Sequence, residues 1–240
     1  MCEREKPCCT AATERVVCDE MLKKLIQSSY KQMPWKNGKG TTTELFRYPS
    51  ASSTATTSTA AGDFEWRVSS AIVAEDGAFS FFPGYTRSIA TLDEDLVINI
   101  SPKSGLESQR TRLDKYSPPF LFSGDDVTDG QLVDGKRVTD FNVISDDSKC
   151  KQEVHRVVSL DNSTRLQEGI INKLAVESLM FCCIRGHITI VTVDDKVVVS
   201  NGESCLVDDE YEGEVQYKCA SASPGVSNGA MDVFVVKIRK

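Results

Sequence analysis

From Phe64 onward this chain is built of short runs that alternate apolar and polar residues, each cut off within a few positions by glycine, proline or paired acids. That rhythm leaves no room for a long amphipathic helix, whose apolar positions recur about every 3.6 residues. It fits strands, whose side chains alternate between two faces. Phe64-Glu65-Trp66-Arg67-Val68-Ser69 sets large apolar groups on alternate positions, as a half-buried strand should. Glu75-Asp76-Gly77 and Pro83-Gly84 read as turns around a short strand at 78–82. Segments 89–92 and 96–100 flank Asp93-Glu94-Asp95 as a predicted hairpin. An extended segment starts at Pro118-Pro119-Phe120, and Leu132-Val133 and 141–144 add strands around Asp134-Gly135. Further strands are expected at 179–184, 188–193, 196–199, 203–207, 214–219 and 231–238, separated by turns such as Arg185-Gly186, Asn201-Gly202 and Glu212-Gly213. Many short strands joined in this way predict an all-β barrel or jelly roll.

The remainder is less regular. Residues 1–18 carry little apolar pattern and read as a mobile tail. Leu22, Leu25 and Ile26 have helical spacing, yet the segment runs into Pro34 and equally suits a strand. A Ser/Thr/Ala-rich stretch at 49–62 has nothing to bury and reads as a disordered loop. The segment 162–171 is compatible with a short helix. In the second half, hairpin, turn and hairpin followed by Asn201-Gly202-Glu203-Ser204-Cys205-Leu206-Val207 resembles the closing half of a cupin barrel. The expected fold is therefore an RmlC-like cupin, a jelly roll in two β-barrel units (a bicupin), with units at 19–148 and 149–240.

A formal net charge of −7 with no cluster of Lys or Arg excludes nucleic acid as the main partner, because phosphate neutralisation needs a basic surface. No apolar run approaches the roughly 20 residues of a membrane span. Met1-Cys2-Glu3-Arg4-Glu5-Lys6 lacks the apolar stretch of a signal peptide, so a cytoplasmic location without membrane association is expected. Nine cysteines in 240 residues are too sparse for a disulfide scaffold. Cys182 and Cys183 are neighbours in a predicted strand, point to opposite faces and make a poor chelate, so the thiols read as buried or incidental groups.

A metal-binding cupin needs imidazoles and a carboxylate converging inside the barrel. This chain has two histidines, His155 and His187, far apart in sequence, and both read as structural. Where a metal cupin places ligands, the stretch 77–87 offers Pro83, Tyr85 and Arg87. A guanidinium repels a divalent metal and grips carboxylates, so neither a metal nor another cofactor is expected. Lys36 and Asn37 beside Trp35, Arg67 beside Trp66, and Arg87 beside Tyr85 would together make an aromatic pocket with an anion clamp. Taken one at a time, the same residues fit surface cation–π pairs. No nucleophile elbow, phosphate-cradling loop or selected carboxylate pair marks a catalytic set.

Met33-Pro34-Trp35-Lys36-Asn37-Gly38 with 41–45, Phe64-Glu65-Trp66-Arg67-Val68-Ser69, Pro83-Gly84-Tyr85-Thr86-Arg87, Phe122-Ser123-Gly124-Asp125 and Asp140-Phe141-Asn142-Val143 stand in an order that resembles the HutD/Ves family. The resemblance implies a bicupin without a metal centre, and it implies pocket roles for Trp35, Lys36, Asn37, Arg67, Arg87 and Asn142. It further implies a non-catalytic protein that binds a small carboxylate such as formylglutamate or a related acid and senses or modulates histidine catabolism or a stress response. A homodimer is left open. Lys39 and Ser145-Asp146-Asp147 depart from the family pattern by adding a cation in the glycine run and acids after Asn142. The competing expectation is a cupin-type enzyme, an isomerase or a metal-dependent oxygenase.

Overall fold

Four antiparallel sheets hold the strands, and the alternation within each strand says how the sheets stack. The structure, a computed structural model, describes residues 21–35, 38, 40–49, 64–159, 167–220 and 231–240. The expected tail at 1–18, all but the first residue of the 49–62 loop, and 162–166 of the uncertain segment lie outside them.

A six-stranded sheet runs in the order Lys31–Pro34, Gly40–Tyr48, Trp66–Val73, Val138–Asp146, Tyr85–Thr91, Phe120–Ser123. A four-stranded sheet of Gly77–Ala78, Val127–Leu132, Leu96–Ser101 and Gln109–Leu113 completes the first barrel. Ile89, Phe122 and Val138 from the larger sheet meet Leu96, Ile98 and Ile100 from the smaller one to form its core. The second barrel pairs a five-stranded sheet, Leu22–Leu25, Glu203–Val207, Ser178–Arg185, Met231–Arg239 and Lys151–Ser159, with a four-stranded one, Gln167–Asn172, Glu214–Ala220, His187–Val191 and Lys196–Ser200. This is the two-unit cupin jelly roll that the strand rhythm predicts.

The six-stranded and five-stranded sheets also pack on each other, so both bury their two faces. Trp66, Val68, Phe141 and Val143 from one meet Met180, Cys182, Phe234 and Val236 from the other. The rings of Phe141 and Phe234 stack across this layer at 4.0 Å. Burial on both faces explains why Cys182 joins the layer between the barrels while Cys183 enters the core of the second barrel. Both thiols are free, and burial pushes each up to about 12, which leaves them protonated packing groups. A buried ion pair adds a polar brace. Arg156 donates to both carboxylate oxygens of Asp232 at 2.8 and 2.6 Å and to the Ser117 carbonyl at 3.0 Å.

Four local expectations are corrected. Segments 89–92 and 96–100 are not a hairpin: Tyr85–Thr91 pairs with Val138–Asp146 and Phe120–Ser123, whereas Leu96–Ser101 pairs with Val127–Leu132 and Gln109–Leu113. Asp93-Glu94-Asp95 is instead a corner between sheets. It is pinned where Asp93 accepts the backbone N–H groups of Glu94 at 2.9 Å and Thr139 at 2.7 Å. In 78–82 only the start pairs as a strand, Gly77–Ala78, because the N–H of Phe79 goes to the Thr128 carbonyl and that of Phe82 to the Gly124 carbonyl. Leu22–Leu25, expected with the first unit, pairs with Glu203–Val207 and so belongs to the second barrel's sheet. A 3-10 turn, Gln27–Ser29, then carries the chain to the first barrel's edge strand. Gln167–Asn172 is a strand rather than part of a helix. Among the described residues no helix is long and apolar enough to cross a membrane.

Candidate functional site

The face of the six-stranded sheet turned away from the second barrel lines a cavity of about 660 Å³. Alternation selects its residues. Arg67, Ser69 and Ala71 point one way along their strand while Trp66 and Val68 point the other; Asp140, Asn142 and Ile144 do the same against Phe141 and Val143. The register then brings strands into rows. Ile144 is paired with Arg67 on one side and Arg87 on the other, so both guanidinium stems rise from one row, about 10 Å apart at the backbone. The next row holds Ser69 and Asn142, and the one beyond it Ala71 and Asp140.

Both arginines are 6% exposed. Arg87 donates one N–H to the Ser80 carbonyl at 3.1 Å and lies 4.9 Å from the Phe122 ring centre. Arg67 lies 5.0 Å from Phe64, and the two guanidiniums share Phe82 at 5.4 and 5.6 Å. Neither forms an ion pair with a described residue, and the Nε of each is buried without an acceptor. Burial lowers the pKa of both, that of Arg87 to about 10, which still leaves it charged at neutral pH. The opposing charges act from a distance, Glu44 on Arg67 and Asp140 on Arg87. Aromatic faces compensate part of the desolvation of each cation, but no described residue supplies the bidentate carboxylate partner that a buried arginine ordinarily has.

Asp140 is 3% exposed and accepts the Ala71 N–H at 3.0 Å. Burial, its largest influence, pushes this carboxyl up to about 7 against the opposing pull of that N–H and of Arg87. Asn142, two residues on, keeps its Oδ1 buried without a partner.

Lys31–Pro34 and the Trp35 that follows supply another wall of the cavity. Trp35 donates its indole N–H to Thr42 Oγ1 at 2.8 Å and its backbone N–H to the Gly40 carbonyl at 2.9 Å. Gly38 closes the turn with φ of +71°. A Cβ on Gly40 would stand 2.4 Å from the Ile72 carbonyl oxygen and 2.9 Å from the indole, so only glycine fits between Trp35 and the Ile72 backbone. Gly40→Ala is expected to cost about 1–3 kcal/mol by overpacking and to shift the Trp35 fluorescence maximum. A variant with wild-type stability and emission would contradict this role.

Of the residues singled out from sequence, Trp35, Arg67, Arg87 and Asn142 converge on the cavity. Trp66 does not. It is 2% exposed between the barrels, 4.9 Å from Phe46, because it and Arg67 are strand neighbours on opposite faces. Tyr85 packs against Phe64 and Phe82 and donates its hydroxyl to the Phe64 carbonyl at 2.9 Å, behind the lining rather than in it. Lys36, Asn37 and Lys39 lie outside the described residues. His155, exposed beside Glu153, and His187, in the second barrel, are both away from the cavity. Sequence reading missed Asp140, Phe79 and Phe82. The signal for Asp140 was available: in Asp140-Phe141-Asn142 the two polar residues must share a face.

The sequence matches the HutD family over residues 27–223. The chain belongs to the HutD family. This HutD-family chain is 33% identical over 127 residues to Protein Ves of Citrobacter koseri, covering 52% of itself and 59% of that protein. To Protein Ves of Cronobacter sakazakii it is 30% identical over 148 residues, 60% of itself and 74% of that protein. It thus spans about 59% of the length of the first curated relatives it matches. Its fold is similar to a conserved protein of unknown function from Pseudomonas aeruginosa, with a TM-score of 0.70 at 21% identity over 91% of this chain and 99% of that one. HutD from Pseudomonas fluorescens gives 0.64, also at 21% identity, over 91% of this chain and all of that one (100%). At such identities the structures carry the fold alone.

Proposed function

We propose that this HutD-family chain is a non-catalytic binding protein for a small carboxylate, held in the first barrel by Arg67 and Arg87 beside Trp35 and Asn142. The observation that carries the reading is the pair of buried guanidiniums lining one cavity with no carboxylate partner among the described residues. A carboxylate supplies the bidentate acceptor that such groups lack. Formylglutamate or a related acid is the first candidate, with a role in sensing or modulating histidine catabolism or a stress response. The HutD structure from Pseudomonas fluorescens was obtained in a formate condition, so formate is the smallest probe worth adding.

Isothermal titration with formylglutamate, urocanate, glutarate and formate tests the reading. Binding of at least one acid is expected, weakened about a hundredfold in Arg87→Met, which keeps the stem packed on Phe122 and removes the charge. Silence toward every acid, or an affinity untouched by Arg87→Met and Arg67→Met, would sink it. One observation favours a second reading, a metal-free isomerase: the Asp140 carboxyl stands in the same cavity near the pKa of a general acid or base. Deuterium exchange into a carbon-bound position of the bound acid would decide for the enzyme.

A further inference from the structure

Asp140 lies two residues from Asn142 and four from Ile144, whose register partners are Arg67 and Arg87. Four strand residues span about 13 Å. The carboxyl and the arginine row therefore mark different ends of one cavity wall, with the long arginine side chains shortening the gap. Oδ1 of Asp140 accepts the Ala71 N–H, and Oδ2 makes no hydrogen bond to a described residue although the side chain is buried and lines the cavity. The charged groups around it are Arg87 and Arg67 across the cavity, Glu44 opposite Ser69, Arg47 opposite Arg67, Lys31 at the exposed rim, and Asp93 from the corner after Tyr85–Thr91. Asp93 is itself held by the N–H and hydroxyl of Thr139.

We propose that the ligand is a linear dicarboxylate, one carboxylate on Arg67 and Arg87 and the second accepting a hydrogen bond from Asp140 in its neutral form, so that anion and proton enter together. The inference rests on the carboxylate reading of the cavity and adds the second contact. An ionised Asp140 would repel the second carboxylate, whereas a protonated one offers it an O–H donor. Burial makes the neutral form accessible, since it already holds this carboxyl up to about 7. A ligand charge beside it raises that value further, and by linkage the bound state keeps its proton to higher pH than the free state. Affinity is then nearly flat below about pH 6. Above about pH 7 it falls by up to tenfold per unit.

Calorimetric titration of glutarate between about pH 6 and about pH 9, in two buffers of different ionisation enthalpy, reads both the affinity and the protons taken up. Glutarate's own carboxyls stay ionised across that range. Expected are close to one proton taken up per ligand near pH 8 and an affinity about thirtyfold or more weaker at the alkaline end. Valerate, of equal length with one carboxylate, binds at least about tenfold more weakly. Asp140→Asn flattens the pH dependence. Glutarate binding that is independent of pH without proton uptake, an Asp140→Asn variant with the wild-type slope, or equal binding of valerate overturns the inference while leaving an Arg87-dependent carboxylate site intact. If no acid binds at all, the reading beneath it falls as well.

Discussion

Phe234→Ala is expected to lower the unfolding free energy by about 3–5 kcal/mol and the thermal midpoint by roughly 10 °C. The ring is fully buried in the layer between the barrels, stacked on Phe141 at 4.0 Å with an interplanar angle of 14°. The Arg156 guanidinium, locked to Asp232, also lies 5.0 Å from the ring centre. Truncation removes the stack and the cation–π contact. It also opens a void flanked by strands of two sheets that are hydrogen-bonded within themselves and cannot close over it. Because the same contacts join both barrels, a single cooperative transition should shift as a whole. Phe141→Ala should have a similar effect, and the double variant should lose less than the sum, since both delete one stack. Phe81→Ala, at a side chain 53% exposed, is the control and should stay within about 0.5 kcal/mol of wild type. A Phe234→Ala midpoint no lower than that of the control would show that the barrels do not depend on this layer.

That layer is also where the sequence was hardest to read. Strand positions were legible because alternation and turn residues are local signals: Glu203–Val207 is where the pattern puts it, and 179–184, 214–219 and 231–238 differ from the observed strands by a residue or two. Which strands pair is not a local property. Asp93-Glu94-Asp95 has the composition of a hairpin turn, and nothing within three residues says that the next strand leaves for the other sheet. Leu22–Leu25 finds its partner near residue 205, a choice made by the edge of a sheet that forms from the far end of the chain.

The candidate site shows the same division. Arg67 and Arg87 stood out because charge within an apolar strand is conspicuous, whereas Asn142 entered only through the resemblance to the HutD/Ves family. Trp66 was misplaced because a strand buried on both faces no longer advertises which face is which, and an aromatic beside an arginine looks like a partner when alternation in fact separates them. The rule that correctly sent Cys182 and Cys183 to different cores applies equally to Trp66 and Arg67. Applied to Asp140-Phe141-Asn142, it would have added Asp140 to the cavity. Its ionisation was not legible at all, because that depends on desolvation by three strands and a charge on a fourth segment.

Around neutral pH, Asp140 gives the largest expected dependence of stability on pH. Its carboxyl is held up to about 7 in the folded protein, against about 3.9 in an unfolded chain. Between those values the folded state binds the extra proton, so stability falls as pH rises through the window, by a total on the order of 4 kcal/mol at full ionisation. The carboxylates held low in the fold act in the opposite sense and at lower pH. Glu153 is pulled down to about 2, first by its hydrogen bond from His155 and then by Lys237, and its contribution is lost only as pH drops below the ordinary carboxylate range. The two effects separate along the pH axis. Thermal or urea unfolding should therefore show wild type losing about 2–3 kcal/mol between about pH 5 and about pH 8, while Asp140→Asn stays nearly level and is the more stable protein at the alkaline end. The amide keeps an acceptor for the Ala71 N–H and carries no charge to desolvate. Parallel curves for the two proteins would mean that Asp140 is ionised in the fold at neutral pH, and would assign the slope to another group.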